Sequence, residues 1–430
     1  MRRFIIIGIG LLCFTAWVPA QVTQDLPPAM SAGPAARSVA EVSKLSTDDR
    51  IKVYERLLES SPHDVKVQSV LVSAYLQKVR ESSDYAYLDR ASKLVDRMLE
   101  REGGSLSGLR FQNEIDLQRH DFRLVAERAR DMVRYEPSDP GIWGNLGDAS
   151  LELGQYDAAG QAYLRMFALR PNLASYNRLA WFRFVTGDAQ SALELMRNAI
   201  ASGDAQPENV AWCWAELGDI YFKLGRLNDA SIAYQSALAI FPGLHRASAG
   251  LGRVEAAKGQ LKDAIQHYER AKSKVPLVEY VSALADLYRL TGKPDKAAMQ
   301  EDLIATIEKL GAATNERTNR NLALALADHD HDLSVALNLV EAEIPVRGDV
   351  YTWDALAWVL YKNGRLSEAK VASERAVRLG TPEPLFYYHG TKIALASGDK
   401  DSGRTYRTKL LALNPRFDIA KIDLSKDAIE

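Results

Sequence analysis

The sequence predicts an all-α solenoid of about ten consecutive helix–turn–helix repeats. One observation is that residues 214–242 divide into two short amphipathic helices, with a glycine between them and a proline after them. A second is that this pattern recurs at intervals near 34 residues, which is typical of repeat architectures. A third is composition, because alanine and leucine abound and β-branched runs are few beyond the N-terminus, which favours helices.

The spacing of residues within 214–242 defines the helix pair. In the first helix, one face carries residues at i, i+3, i+4 and i+7, namely Trp214, Leu217, Gly218 and Tyr221. Gly225 then interrupts the helix, and Pro242 stops the second one. One face of the second helix carries Ala230, Tyr234 and Ala237. Gly218 and Ala230 have almost no side chain, so we expect them to let the two helix backbones approach closely.

Glycines between the two helices of a pair recur at positions 154, 187, 225, 259, 292, 364 and 398. The interval from 292 to 364 is about twice the others. It predicts a hidden repeat whose turn is the glycine-free run 328–332 and whose second helix carries Ala336 and Val340. Upstream, residues 63–103 and 105–137 are predicted to form less regular pairs, and residues 47–60 a single helix. Irregular terminal repeats are expected because they face water on one side.

The spacing W-x2-L-G-x2-Y, followed by A-x3-[FY] and a proline, resembles the tetratricopeptide repeat, a helix–turn–helix unit of about 34 residues. The resemblance covers residues 47–418. It implies a right-handed superhelix whose concave groove is lined by the first helix of each pair and binds peptides or protein partners. Residues 419–430 are expected to form a C-terminal capping tail, and the stretch after Pro415 is expected to pack as a short helix.

Subtracting the positions that face a neighbouring helix leaves the side chains expected to line the groove. Many are aromatic rings or arginines, which are the usual anchors of interfaces. The predicted partner-binding residues are Asn177, Trp181, Phe184, Trp212, Asp219, Phe222, Lys223, Arg246, Arg253, Arg289, Tyr351, Asp354, Trp358, Tyr361, Tyr388 and Lys392. Some of these rings could instead pack between adjacent repeats. Glutamate in place of Trp181, Phe222 or Trp358 is expected to remove the partner and leave the fold intact.

The N-terminus differs from the rest of the chain. Arg2 and Arg3 precede an apolar run over residues 4–18 that ends in the sequence VPA, and this pattern predicts a secretory signal peptide at residues 1–20. An uncleaved anchor is the alternative. Residues 21–46 contain three prolines and many small side chains and are predicted to be a flexible linker. Cleavage leaves Cys213 as the single cysteine, so we expect an exported protein, periplasmic or secreted, with a bacterial envelope favoured.

Residues that could carry chemistry are few. A net charge of −2 offers no basic field for nucleic acid. The run DHDHD at residues 328–332 alternates potential metal ligands, but it lies in a turn where Asp332 or Ser334 would cap the next helix. Cys213 lies between two tryptophans and is interpreted as a packed thiol. No nucleophile motif or phosphate loop is present, so no enzymatic activity, cofactor or metal is predicted.

The predicted function is therefore that of a non-catalytic exported scaffold that binds protein or peptide partners in the groove. A narrower alternative is a component of an export or pilus assembly machine of the envelope. A metal-dependent protein that uses the run 328–332 is an alternative from another class, and self-association through the groove is a further one. We expect no nucleic-acid partner, and no stable membrane insertion once the signal peptide is cleaved.

Overall fold

The computed structural model describes residues 42, 45–204, 206–313 and 319–421, and these residues form 21 α-helices and no strand. The helices are α1 Thr47–Ser60, α2 Val65–Ser82, α3 Ala86–Arg101, α4 Leu106–Gln118, α5 Phe122–Tyr135, α6 Pro140–Glu152, α7 Tyr156–Leu169, α8 Leu173–Val185, α9 Ala189–Ser202, α10 Pro207–Lys223, α11 Leu227–Ile240, α12 His245–Ala257, α13 Leu261–Lys274, α14 Val278–Leu290, α15 Pro294–Ala313, α16 Arg320–Asp328, α17 Leu333–Glu343, α18 Val350–Lys362, α19 Leu366–Val377, α20 Pro384–Ala396 and α21 Lys400–Leu413. The predicted signal peptide, nearly all of the predicted linker and the tail beyond residue 421 lie outside the described residues.

Consecutive helices pack as pairs, and each pair packs on the next. The pairs are α2/α3, α4/α5, α6/α7, α8/α9, α10/α11, α12/α13, α14/α15, α16/α17, α18/α19 and α20/α21. Within the described ranges, these ten pairs and the single helix α1 confirm the predicted all-α solenoid. The apolar core follows the solenoid as a series of clusters, as expected when each repeat buries its face against its neighbours. No helix in this part of the chain is long and apolar enough to cross a bilayer.

The turns inside the pairs follow the predicted glycines. All seven have a positive φ, from 68° at Gly292 to 90° at Gly187, which glycine adopts without steric cost. The turns of three pairs lack glycine, and Ser83 (φ 52°), His120 (φ 64°) and Asp330 (φ 53°) take the left-handed conformation there instead. The hidden repeat is confirmed as α16/α17. Asp332 lies at the N-cap position of α17, but its side chain makes no capping hydrogen bond, so its predicted capping role is wrong.

Gly218 is required for a different reason from the one predicted. A Cβ atom on Gly218 would lie 2.6 Å from the ring of Tyr234, and one on Gly252 would lie 2.7 Å from the ring of Tyr268. In both pairs, the glycine of the first helix makes room for the tyrosine ring of the second helix rather than for its backbone. The glycine and the tyrosine of the repeat pattern therefore form one packing unit.

We expect Gly218→Ala to lower the free energy of unfolding by about 2 kcal/mol, because the added methyl group overpacks a fully buried ring. Tyr234 cannot move aside without loosening the hydrogen bond from its hydroxyl to Asp219. Urea denaturation measures the change. Gly104→Ala is the matched control, since a Cβ atom there meets nothing within 4 Å. Equal midpoints for Gly218→Ala and the wild type would contradict this packing role.

The solenoid winds back onto itself, so that repeats far apart in sequence touch. Three hydrogen bonds join the C-terminal third to the turns of three successive pairs: Val350 N–H to the Tyr156 hydroxyl (2.9 Å), the Thr381 hydroxyl to the Val185 carbonyl (2.5 Å), and the Asn414 amide to the Phe222 carbonyl (2.7 Å). The bonded residues are 192 to 196 positions apart. One superhelical turn therefore lies directly against the next.

The N-terminal helices make a related contact with the start of α10. The Gln77 amide donates to Glu208 over 3.0 Å, and the Arg50 guanidinium donates to Gln206 over 2.7 Å. Both acceptors lie more than a hundred residues further along the chain. The first pairs are thus fixed to the middle of the solenoid as well as to their own neighbours.

Residues 414–421 do not form the predicted capping helix. They follow α21 as a series of turns. Backbone hydrogen bonds from Phe417 to Asn414 and from Lys421 to Asp418 close two of these turns. The predicted conformation is therefore wrong for the described part of the tail, which nevertheless packs onto the solenoid.

Candidate functional site

The first helices of the pairs gather most of the predicted groove residues into three clusters. Lys223, at the end of α10, is the centre of the first. Its ammonium group lies 2.8 Å from Glu383 and 5.1–5.4 Å from three ring centroids, those of Trp181, Phe184 and Tyr351. The rings of Trp181 and Tyr351 stack with centroids 6.0 Å apart. Because Tyr351 and Glu383 belong to the later superhelical turn, this cluster holds the two turns together.

Asp219 is the centre of the second cluster. Its carboxylate accepts hydrogen bonds from the Tyr234 hydroxyl (2.6 Å) and from Nε of Arg246 (2.8 Å), and it pairs with Arg253. Burial would raise the pKa of Asp219, but Arg246 and Arg253 outweigh burial and hold this pKa well below its ordinary value. The Arg246 guanidinium also lies 4.5 Å from the Trp212 ring centroid. The ionised carboxylate therefore ties α10 to α11 and α12.

Trp358 is the centre of the third cluster. Its indole stacks on His389 (4.2 Å between centroids) and on Tyr361 (5.2 Å), and its Nε1 donates to Asp328 over 2.8 Å. Nδ1 of His389 lies 3.0 Å from Asp354. Burial raises the pKa of Asp354, and His389 acts against that change. This cluster joins α16, α18 and α20.

Burial corrects the expectation of an open groove. Eight of the predicted residues are buried by the protein's own packing, namely Asn177, Phe184, Asp219, Phe222, Arg246, Asp354, Trp358 and Tyr388. Seven are half-buried, namely Trp181, Trp212, Lys223, Arg253, Tyr351, Tyr361 and Lys392. Asn177 and Arg289 join none of the three clusters, and Arg289 is exposed. Glutamate at Phe222 or Trp358 would place a charge in the core, so we now expect those variants to unfold.

The inner face also holds a segment that sequence reasoning did not place there, residues 414–421. The ring of Phe417 packs 5.7 Å from that of Tyr388, and Ile419 packs on the apolar cluster around α12 and α14. Lys421 pairs with Asp328 over 3.0 Å. Phe417 and Lys421 contact the first helices α20 and α16, whereas the cluster beside Ile419 also contains residues of the second helices α13 and α15. No regular alternation of apolar and polar residues marks the segment, since Ile419 is followed by the apolar Ala420.

A small polar pocket lies where the two superhelical turns meet. Its charged lining residues are Asp148, Glu152, Arg178, Arg320 and Asp349. Three ion pairs lie in or beside it, Arg178 with Asp148 (2.9 Å), Arg320 with Asp349 (2.9 Å) and Arg347 with Glu152 (2.7 Å). Burial raises the pKa of Glu152 to about 7, against the influence of Arg347. Because each guanidinium faces a carboxylate, the charged side chains in and beside the pocket form an ion-pair network that joins the two superhelical turns.

Glu114, on α4, makes the stability of the fold depend on pH. Burial raises its pKa from 4.5 to about 7, although Arg110 and Arg80 act in the opposite direction. Between pH 4.5 and 7, the unfolded chain ionises Glu114 while the folded chain keeps it protonated, so rising pH favours unfolding.

We therefore expect Glu114→Gln to match the wild type near pH 4 and to be up to about 3 kcal/mol more stable near pH 8. Urea denaturation at the two pH values measures this difference. Glu127→Gln, at an exposed position on α5, is the control and should change little at either pH. A Glu114→Gln variant no more stable than the wild type near pH 8 would refute the assignment.

The run 328–332 is engaged in contacts with the protein. His329 Nε2 lies 3.1 Å from Asp286, which raises the pKa of His329, and Asp330 pairs with Lys362 over 2.6 Å. Among the described residues, no group of three or more His, Cys, Asp or Glu side chains is arranged to hold a metal ion. The side chains of this turn therefore serve as hydrogen-bond and ion-pair partners.

Cys213, on α10, is fully buried. Burial raises the pKa of its thiol well above the ordinary value. A buried thiol of raised pKa carries little of the thiolate form that reacts, so Cys213 contributes to packing.

Part of the sequence matches a known family model. Residues 116–174, 177–245 and 215–279 match the model of the tetratricopeptide repeat. These ranges extend from the end of α4 to the first residues of α14, and they include the Asp219 cluster. A search of curated proteins finds no match.

Several solved structures are similar to this chain over part of its length. The crystal structure of MamA is 23% identical over 39% of this chain and 97% of its own, with a TM-score of 0.33. That of PilW, a type IV pilus biogenesis factor, is 17% identical over 45% of this chain and 90% of its own, with a TM-score of 0.41. The human IFIT1 dimer with PPP-AAAA is 13% identical over 85% of this chain and 87% of its own, with a TM-score of 0.47. Likenesses this low transfer no partner to the present chain. Residues 116–174 and 177–279 match the model of the tetratricopeptide repeat, and the helix pairs on either side of them pack in the same consecutive manner.

Proposed function

We propose that this chain is a non-catalytic scaffold that binds a short, non-helical segment of a protein partner on its inner face. The site is the surface formed by the first helices α12, α14, α16, α18 and α20. One observation carries the proposal: residues 415–421, which form turns rather than a helix, already lie on this surface. The inner face thus has the chemistry to hold a peptide that folds into turns.

The chemistry of this surface is that of a protein interface. It offers the ring of Tyr388, the half-buried ring of Tyr361 and the carboxylate of Asp328 beside apolar side chains of α12 and α14. Aromatic rings anchor interfaces because they bury a large area at a low cost in conformational entropy. The half-buried carboxylate of Asp328 favours a cationic side chain, since leaving it unpaired in this position has a desolvation cost. The surface therefore favours a peptide with both apolar and basic residues.

Site-specific photo-crosslinking tests the scaffold function. The photoreactive residue p-benzoylphenylalanine replaces Tyr361 on the inner face in one variant and Tyr135 on a second helix in the other. Both are tyrosines, and Tyr135 is 87% exposed. In cells that produce the chain, we expect partner adducts from position 361 and few from position 135. Adducts from position 135 alone would show that the working surface is elsewhere.

The identity of an adduct separates the narrower alternatives. Subunits of an export or pilus assembly machine would favour the envelope-machine hypothesis. A second copy of this chain would favour self-association, and nucleic acid would contradict the expectation of a protein partner. A stoichiometric metal in the purified protein would favour the metal-dependent alternative instead.

We further propose that the scaffold works outside the cytoplasm, in the bacterial periplasm or as a secreted protein. The support is the sequence of residues 1–20 alone, with two arginines before a short apolar run. Fractionation of cells and the intact mass of the recovered protein test this proposal. We expect a periplasmic or extracellular protein that begins at Gln21. A cytoplasmic protein that retains residues 1–20 would contradict export, and a membrane-bound one that retains them would indicate an anchor.

A further inference from the structure

The segment after α21 leaves the last helix at a fixed point. Asn414 is 1% exposed, and its side-chain amide donates to the Phe222 carbonyl at the end of α10. The backbone N–H of Arg416 bonds back to the side chain of Asn414 over 2.9 Å. Asn414 therefore aims the following residues across the inner face rather than into solvent.

Side chains, not backbone, hold the segment on this face. Phe417 contacts the Tyr388 ring, and Ile419 packs on the apolar cluster of α12 and α14. The backbone N–H groups of Phe417 and Lys421 donate to carbonyls at positions 414 and 418, within the segment itself. Leaving the inner face would therefore break none of these backbone hydrogen bonds.

Lys421 is the polar anchor of the segment. Its ammonium group lies 3.0 Å from Asp328 and 2.9 Å from Asp418, and only 14% of its side chain is exposed. Burial would lower the pKa of Lys421, but the two carboxylates outweigh burial and raise it, so the side chain is charged. Asp328 also accepts the Trp358 indole hydrogen bond, which fixes the carboxylate in place.

We propose that residues 417–421 are an internal ligand that occupies the partner site and must be displaced by a partner segment of similar chemistry. Such a segment would present an aromatic side chain to Tyr388, an aliphatic one to the cluster of α12 and α14, and a basic one to Asp328. This inference rests on the proposed scaffold function and names the class of partner and its regulation. An internal ligand is present at a high effective concentration. It raises the apparent Kd of a competing partner, which equals the intrinsic Kd divided by the fraction of time that the site is free.

A binding assay with a defined probe tests the internal-ligand proposal. The probe is a fluorescein-labelled peptide with the sequence of residues 414–430, added to the full chain. We expect weak binding to the wild type and binding at least about tenfold tighter to the Phe417→Ala/Lys421→Ala variant, since its own segment is weakened. Arg416→Ala, at an exposed position beside the anchors, is the matched control and should behave as the wild type does.

Two further measurements keep the test decisive. Lys421→Ala alone replaces the double variant if circular dichroism shows that the latter is unfolded. Adding Asp328→Asn to the double variant should weaken the binding of the probe again. Equal binding to all chains, or no binding to any, would overturn the proposal. If such a result comes with adducts from position 361, the scaffold function stands and only the internal-ligand proposal fails. If the probe binds as expected but position 361 gives no adduct, the internal-ligand site stands and the scaffold function is refuted.

Discussion

Asp219→Ala is expected to lower the free energy of unfolding by about 3–5 kcal/mol, because it removes the carboxylate shared by the buried guanidinium of Arg246 and the half-buried one of Arg253. The hydroxyl of Tyr234 also loses its acceptor. Since Asp219 links α10 to the following pair, we expect the N- and C-terminal parts of the solenoid to unfold less cooperatively. Urea denaturation followed by circular dichroism measures both changes.

Two controls separate this network from a general loss of charge. Asp229→Ala removes an exposed carboxylate that pairs with Arg226 on the same helix, and it should change little. Asp219→Asn keeps an oxygen for Tyr234 but removes the charge, and it should lie between the wild type and Asp219→Ala. If the Asp219→Ala midpoint equals that of Asp229→Ala, the proposed network does not stabilise the repeat junction.

Arg347→Met is expected to have an effect of similar size, about 3–5 kcal/mol, because Arg347 is 1% exposed and pairs with two buried glutamates. Its Nε lies 2.7 Å from Glu152 and its Nη1 lies 3.2 Å from Glu343. Removing the guanidinium raises the pKa of Glu152 further, since Arg347 now lowers it. A raised carboxyl pKa costs stability as pH rises, so the loss should be larger near pH 8 than near pH 5.

Hydrogen exchange measures where the effect of Arg347→Met falls. We expect faster exchange at the end of α6 and the start of α18, which Arg347 holds together. Arg365→Met is the matched control, since Arg365 also pairs with two glutamates, Glu341 and Glu368, but on the surface. It should leave both stability and exchange nearly unchanged. A loss that is independent of pH would contradict the role assigned to Glu152.

The helix pairs were predictable because their signals are local. The spacing from Trp214 to Pro242 determines two helices and a turn within 29 residues, and the seven turn glycines repeat that signal. Even the pair α16/α17, whose turn lacks a glycine, could be located from the doubled interval between Gly292 and Gly364. The role of Gly218 was less visible, because a small residue equally suits a close backbone and a nearby ring.

The contacts between superhelical turns could not be predicted in the same way. The bond from Thr381 to Val185 joins residues 196 positions apart. Such contacts depend on small rotations summed over several repeats, which leave no periodic pattern in the sequence. Selecting groove residues by subtraction assumed an open inner face. In the structure eight predicted groove residues are buried: Tyr388 lies under the segment after Asn414, and others, such as Asp219 and Arg246, pair with side chains of neighbouring helices.

The central claim is that the inner face holds residues 414–421, the turn-forming segment that follows α21. The most direct test places p-benzoylphenylalanine at Phe417 in the full chain and maps the crosslinked residues by mass spectrometry. The account predicts intramolecular crosslinks to α20 near Tyr388, and their loss when excess peptide of residues 414–430 is added. Crosslinks confined to second helices of the pairs, or to other molecules, would contradict it.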